Sequence, residues 1–143
     1  MIRQDCPEFK YYSPLPFKEY ACKLFCCFFW SEQLTGALYD VEKVVELCEQ
    51  LIRFGHVKAD LGVYGVDDTR KVLKYLGVPV KSVKVEGPFY VCKEHEYEIL
   101  KLVKPEYMHF VPGDGKGHYT WDSLGVRPSQ KDYHIDSKRI IVL

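Results

Sequence analysis

The sequence feature that most constrains the fold is the apolar, cysteine-bearing stretch Phe17–Trp30, FKEYACKLFCCFFW. Pro14 and Pro16 lie just before it, and the residue that precedes a proline is held extended, so a helix cannot begin before Pro16. The stretch is apolar on nearly all sides, as in a helix that is buried all round. We therefore predict a central buried helix that runs to about Gln33 and carries Cys22 in or near its first turn.

Local signals predict two more helices after this one. Asp40 is a suitable N-cap for a helix over Val41–Phe54, whose apolar residues recur at helical spacing. Asp67 is a suitable N-cap for a third helix over Asp68–Leu76, and Gly77 follows the end of that helix. The first half of the chain is therefore predicted to be mainly helical.

The second half of the chain carries mostly strand and turn signals. The glycine-rich segment PGDGKG is typical of a hairpin turn between two strands. The predicted elements are a strand over Val80–Val85, a short helix over Glu94–Val103, strands over Tyr107–Pro112 and His118–Trp121, and a β-rich segment over His134–Leu143. Helices followed by an antiparallel sheet argue for an α+β fold, and 143 residues suit a single domain over 1–143.

Charge and composition argue against nucleic-acid and membrane partners. Lysine plus arginine equals aspartate plus glutamate, 20 of each, so there is no electrostatic reason to expect a polyanion. No apolar run reaches the roughly 18 residues of a membrane span, and the amino terminus lacks the pattern of a signal peptide. Three of the six cysteines share the predicted central helix, so they could not all find distant disulfide partners. A reduced, cytoplasmic protein is the expectation.

Cys22 is the cysteine with the best context for nucleophilic chemistry. A thiol becomes a useful nucleophile when its pKa falls, and a helix N-terminus beside a histidine has this effect. Cys22 is close to the predicted helix start, where the helix dipole favours the thiolate. Cys26 and Cys27 lie a turn further along and are expected to be inert core residues.

His109 is the histidine with the best context for a general base. It lies on the predicted strand HFV, and a carboxylate on the hairpin partner, Asp122, could fix its tautomer and stabilise the imidazolium. A strand-edge histidine without a catalytic role is an equally good interpretation of these residues alone. His118 suits an exposed loop end, and the remaining histidines are expected at the surface: His56, His95 and His134.

Metal and phosphate sites are the competing interpretations. Cys22 and Cys26 could share a helix face, but zinc sites usually have a second close pair of ligands, which the sequence lacks. The GDGKG segment joins two strands instead of opening a helix, so it lacks the context of a phosphate-binding loop. We therefore expect no metal and no cofactor.

The order of these parts resembles the papain-like cysteine peptidases, and more closely their C39-like, bacteriocin-processing branch. In that branch a cysteine opens the central helix, an HxV-type strand carries a histidine, and the strand after a hairpin bears an aspartate. Cys22, His109 in HFV and Asp122 in WDSLG match these positions. The resemblance covers most of the chain. It implies N-terminal helices packed on a C-terminal antiparallel sheet, with these residues as nucleophile, base and orienting acid.

Three positions depart from that family pattern. The family usually has a glutamine six residues before the cysteine, where it completes the oxyanion hole, and Pro16 stands there instead. Gln4 is the only glutamine upstream, and the extended arm 1–16 would have to fold back to present it. Lys23 follows Cys22 where a glycine is common, and Ser123 follows the aspartate where many relatives have proline.

Two functions follow from this resemblance. The first is a cysteine hydrolase that acts on a peptide or amide bond through Cys22, His109 and Asp122, with Gln4 as an oxyanion donor. The alternative is a catalytically inactive papain-like fold that binds a peptide or protein partner. A third interpretation, an unrelated α+β domain, requires Cys22 and His109 to lie far apart.

Overall fold

Helices occupy the first half of the computed structural model, and an antiparallel sheet occupies the second; the structure describes residues 1–125 and 132–143. The helices are a 3-10 helix over Pro7–Tyr11, α1 over Cys22–Thr35, α2 over Val41–Arg53 and α3 over Gly65–Tyr75. The strands are β1 over Ser82–Glu86, β2 over Glu96–Lys104, β3 over Tyr107–Pro112 and β4 over His134–Val142. The α+β class is confirmed, whereas the short helix within the arm was not predicted.

Helix α1 is central and buried, but it begins at Cys22, later than the predicted start after Pro16. Residues 17–21 form turns instead of a helix. In these turns the ring of Phe17 stacks on that of Phe9, with centroids 4.1 Å apart. Gly36 ends the helix in a left-handed conformation, with φ of 77°. The later start makes Cys22 the first helical residue.

Helix α2 lies within one residue of its predicted bounds. The Asp40 side chain caps it as predicted, by accepting a hydrogen bond from the backbone N–H of Lys43. Helix α3 begins at Gly65, not at Asp68. Asp67 therefore does not cap it. The Asp67 carboxylate lies inside the first turn, where it pairs with Lys71 at 3.1 Å and complements the helix dipole.

The predicted helix over Glu94–Val103 is wrong, because this segment is strand β2. The sheet order is β1-β4-β2-β3, so β2 lies between two neighbours. Its residues Ile99 and Leu100 point to opposite faces, and both are buried. A strand covered on both faces loses the polar–apolar alternation that marks a half-exposed strand, and a short apolar run then also fits a helix.

The chain after β3 does not form the predicted returning strand over His118–Trp121. Within residues 113–125, strand-like pairing is limited to one bridge between Gly113 and Tyr119. The backbone N–H groups of Gly115 and Gly117 donate to the Glu98 side chain instead of to β3. The final strand is confirmed as β4, and it lies inside the sheet between β1 and β2.

The two faces of the sheet carry separate apolar clusters. The larger cluster joins the helices to the face that bears Ile99. The smaller cluster lies on the opposite face, which we call the second face, and contains Leu100, Leu102 and Val111. Leu102 is paired with His109, so His109 also projects from the second face.

In the described parts of the chain, the helices are all too short or too polar to cross a membrane.

Candidate active site

Cys22 lies at the N-terminus of α1 and is half-buried. Its helix is preceded by Ala21, which provides no side-chain cap. The backbone N–H of Cys22 has no acceptor among the described residues, as expected for the first turn of an uncapped helix. The sulfur and this free donor therefore share one end of the helix, where the helix dipole favours negative charge.

The other two cysteines of α1 are enclosed in the core. Burial raises the pKa of the Cys27 thiol to about 12, and it holds the pKa of the Cys26 thiol well above its usual range. Since the thiolate is the reactive form, these residues are inert, as predicted. Nucleophilic chemistry on this helix is left to Cys22.

His109 and Asp122 lie in direct contact. The Nε2 atom of His109 is 2.8 Å from Oδ1 of Asp122, and the two residues are only 4% and 7% exposed. Because Nε2 is occupied by the carboxylate, Nδ1 is the ring nitrogen available to Cys22. The Cys22 side chain also lies near enough to the imidazole to contribute to the raised pKa of His109. The structure thus brings together three residues that are distant in sequence.

Opposing effects determine the protonation of His109. Burial alone lowers the pKa of the imidazole because it penalises the charged ring. The hydrogen bond with Asp122, the nearby side chain of Cys22 and the charges of both partners outweigh burial, and they raise the pKa of His109 to about 9. The imidazolium is therefore the dominant form of His109 at neutral pH.

The Asp122 carboxylate has one saturated oxygen and one unpartnered oxygen. Oδ1 accepts hydrogen bonds from the ring of His109 and from the backbone N–H of Leu124 at 2.9 Å. Oδ2 is buried without a hydrogen-bond partner among the described residues. Just before Asp122, the ring of Trp121 stacks on Phe29, with centroids 5.6 Å apart. Asp122 is therefore held by one oxygen and by the chain on either side of it.

Gln4 is buried, because the arm folds back onto the turn after Asp122. Its backbone N–H donates to the carbonyl of Ser123, and its Nε2 donates to the carbonyl of Phe17, both at 2.9 Å. The Ser123 hydroxyl donates to Oε1 of Gln4. A carbonyl can only accept, so Phe17 fixes which end of the carboxamide is nitrogen. Gln4 thus links the turn after Asp122 to the loop before Cys22.

Sequence reasoning treated Ser123 and Lys23 only as departures from a family pattern. The structure gives Ser123 a specific contact, its hydrogen bond to Gln4. Lys23 is buried along its stem, and its ammonium lies 5.3 Å from the centre of the Phe110 ring. Burial lowers the pKa of Lys23. No local sequence signal pairs Ser123 with Gln4, because the two residues are far apart in the chain and meet only in the fold.

The remaining polar candidates do not join this site. His118 is exposed and pairs with Asp114 at 3.0 Å, as expected for a loop end. Within residues 1–125 and 132–143, no group of three or more histidine, cysteine, aspartate or glutamate side chains is arranged to hold a metal ion.

Residues 15–143 match the family described as Protein of unknown function, DUF261. The chain belongs to the DUF261 family. The matched region contains Cys22, His109 and Asp122, whereas Gln4 lies before it. No curated protein and no solved structure matches this DUF261 chain.

Proposed function

We propose that this DUF261 protein is a cysteine hydrolase of papain-like, C39-like fold that acts on a peptide or amide bond. The observation that carries the proposal is the order of sulfur, imidazole and carboxylate, in which His109 contacts Asp122 at 2.8 Å and also interacts with Cys22. A nucleophile beside a base that is oriented by a third group is the arrangement used for covalent catalysis. Three helices before an antiparallel sheet, with the cysteine opening the first, support the proposed relationship.

The reaction begins with a Cys22 thiolate and a His109 imidazolium. The sulfur attacks the carbonyl carbon, and the carbonyl π electrons move to oxygen. Collapse of this intermediate breaks the C–N bond, and the imidazolium gives its proton to the departing amine. Neutral His109 then takes a proton from water, which attacks the thioester. Loss of the thiolate releases the acid and restores the starting pair, while Asp122 keeps the ring in one orientation.

Two N–H groups are suited to stabilise the oxyanion. The first is the backbone N–H of Cys22, which has no acceptor among the described residues. The second is the remaining N–H of the Gln4 carboxamide, since its other N–H is used by Phe17. Loss of one such donor typically lowers turnover by about a hundredfold or more. A Gln4→Ala variant should therefore lose turnover while Cys22 keeps its reactivity towards a small alkylating agent.

A second candidate is an inactive fold that binds a peptide or protein. It is favoured by the hydrogen bonds that the Gln4 side chain already makes with Phe17 and Ser123. An oxyanion donor that is held by structural contacts is also consistent with a residue kept for folding. The two candidates differ in whether Cys22 is chemically activated.

Alkylation with iodoacetamide as a function of pH, followed by peptide mapping, distinguishes them. Cys6 is the matched control, since it is half-buried like Cys22, whereas burial raises the pKa of Cys92 to about 11 and slows its labelling. The hydrolase requires Cys22 to react at least about tenfold faster than Cys6 near pH 6. It also requires that His109→Ala abolish this advantage. Labelling of Cys22 at the rate of Cys6 would exclude the hydrolase and leave the binding module.

A further inference from the structure

A pair of charged side chains is buried in the sheet, separate from Cys22. Glu98 on β2 and Lys138 on β4 are 0% and 1% exposed. Oε2 of Glu98 lies 2.9 Å from Nζ of Lys138. Removing two charges from water is costly, and apolar residues of similar volume often stabilise a fold at least as well as such a pair. A role in fixing geometry is therefore a better explanation than stability alone.

The pair fixes the turn that follows β3. Oε1 of Glu98 accepts hydrogen bonds from the backbone N–H groups of Gly115 and Gly117, both at 2.9 Å. Nζ of Lys138 donates to the carbonyl of Tyr90 at 2.6 Å, which holds the lysine in place. One carboxylate oxygen therefore binds the turn, and the other is held by the lysine.

The glycines of the turn fit this carboxylate closely. Gly115 and Gly117 have φ values of 91° and 90°, which side chains rarely adopt. A Cβ atom at Gly113 would lie 2.6 Å from Oε1 of Glu98, which is closer than real contacts allow. The spacing of glycines in GDGKG therefore matches the approach of the backbone to Glu98.

The side chain that binds the turn, Glu98, and the His109 ring project from the same face of the sheet. In the register of β2, Leu100 is opposite Lys138 and Leu102 is opposite His109, so all four side chains project from the second face. The segment 113–122 connects the turn to Asp122. Glu98 binds its first part through Gly115 and Gly117, and the contact between His109 and Asp122 lies at its end.

We propose that Glu98 is a positioning residue for Asp122: it fixes the turn and thereby sets where the following segment presents the Asp122 carboxylate to His109. This inference rests on the proposed function, because it concerns the support of the proposed orienting acid. Asp122 depends on such support, since Oδ2 has no partner among the described residues.

Two charge-neutral double variants of the full chain test this positioning. Glu98→Gln with Lys138→Met keeps an oxygen acceptor for the turn, and Glu98→Leu with Lys138→Met removes it. Both change the charge of the protein equally, so a direct charge effect on His109 is the same in each. Titration of the His109 ring by NMR should give a midpoint near 9 for the glutamine variant. For the leucine variant the midpoint should fall by about one unit or more, because the contact with Asp122 is weakened.

Equal midpoints in the two double variants would overturn the proposal. If the leucine variant does not fold, Gly117→Ala provides the second test, because it disturbs the turn and leaves the ion pair in the sequence. Its matched control is Gly36→Ala, which has a similar φ of 77° and open space around it. Only Gly117→Ala should lower the His109 midpoint, and an unchanged midpoint would overturn the proposal.

The titration needs no substrate and no turnover. If Cys22 is unreactive, the proposed function is refuted, but the His109 titration still shows whether Glu98 positions Asp122. If Cys22 is reactive but the His109 midpoint is the same in all the turn variants, only the positioning role of Glu98 is refuted.

Discussion

The second face of the sheet carries two buried polar clusters, and they differ in how fully their polar groups are satisfied. Around Glu98, Oε1 receives two backbone N–H groups and Oε2 lies against the Lys138 ammonium in an ion pair without an aligned hydrogen bond. Around His109, Oδ2 of Asp122 is unpartnered within the described residues, and Cys22 is half-buried. A cluster whose carboxylate is ion-paired and bonded to the backbone can fix a shape, whereas a cluster with an unpartnered carboxylate oxygen and a half-buried thiol can also bind and react.

The largest expected effect is on stability, and it lies in the cluster around Glu98. Glu98→Ala leaves the Lys138 ammonium buried without its carboxylate, so the free energy of unfolding should fall by about 3–5 kcal/mol. Urea denaturation measures this fall. Glu46→Ala is the control, since the exposed pair of Glu46 with Lys43 should contribute about 0.5 kcal/mol or less. Equal losses in the two variants would contradict the difference between the clusters.

The next effect is the pH dependence that the His109 cluster should give to stability. The pKa of His109 is raised from 6.5 to about 9 in the folded protein, so folding is favoured by protonation. This stabilisation is fully present below about pH 6.5 and is lost as the pH rises through about 9, a fall of about 3 kcal/mol. Urea denaturation at about pH 6 and pH 9.5 measures it. Asp122→Asn should remove most of this fall, and an unchanged fall in that variant would contradict the assignment.

Asp122→Asn should itself cost less than Glu98→Ala at neutral pH. His109 can lose its proton when the carboxylate is neutralised, so no buried charge is left unpaired. We expect a loss of about 2–3 kcal/mol, because most of the stabilisation that protonated His109 provides at pH 7 is lost with the carboxylate. The comparison is made by urea denaturation of both variants at pH 7. A greater loss for Asp122→Asn would reverse the distinction between the clusters.

The smallest effect lies outside both clusters and calibrates the others. Asp40→Ala removes the cap of α2, where the carboxylate accepts the backbone N–H of Lys43 at 2.8 Å. We expect a loss of about 1 kcal/mol in unfolding free energy. The His109 midpoint should not move in this variant, so a shift there would show that any destabilisation perturbs the site.

The sequence predicted the elements whose signals are local. Asp40 and the apolar spacing after it predicted α2, and the turn after Pro112 predicted the end of β3. Strand β2 was misassigned because apolar clusters cover both of its faces, with the helices on one side and the smaller cluster on the other, and only the fold reveals this. The start of α1 was placed too early because the stacking of Phe17 on Phe9 depends on the path of the arm.

The two clusters also differ in how visible they were from the sequence. Cys22, His109 and Asp122 could be named together because their residue types suit one reaction and their order resembles a known family. Glu98 and Lys138 carry no such signal, since their contact follows from the register in which β2 pairs with β4. The glycines of GDGKG predicted a turn, but their reason, the nearby Glu98 carboxylate, required the fold.

The central claim is that His109 is held as an imidazolium between Cys22 and Asp122. NMR titration of the ring nitrogens of His109, from about pH 5 to pH 10, tests it in the unmodified protein and in Cys22→Ser. We predict a midpoint near 9 that falls when the sulfur is replaced, because the Cys22 side chain contributes to the raised pKa of His109. A midpoint near 6.5 in both proteins would contradict the account.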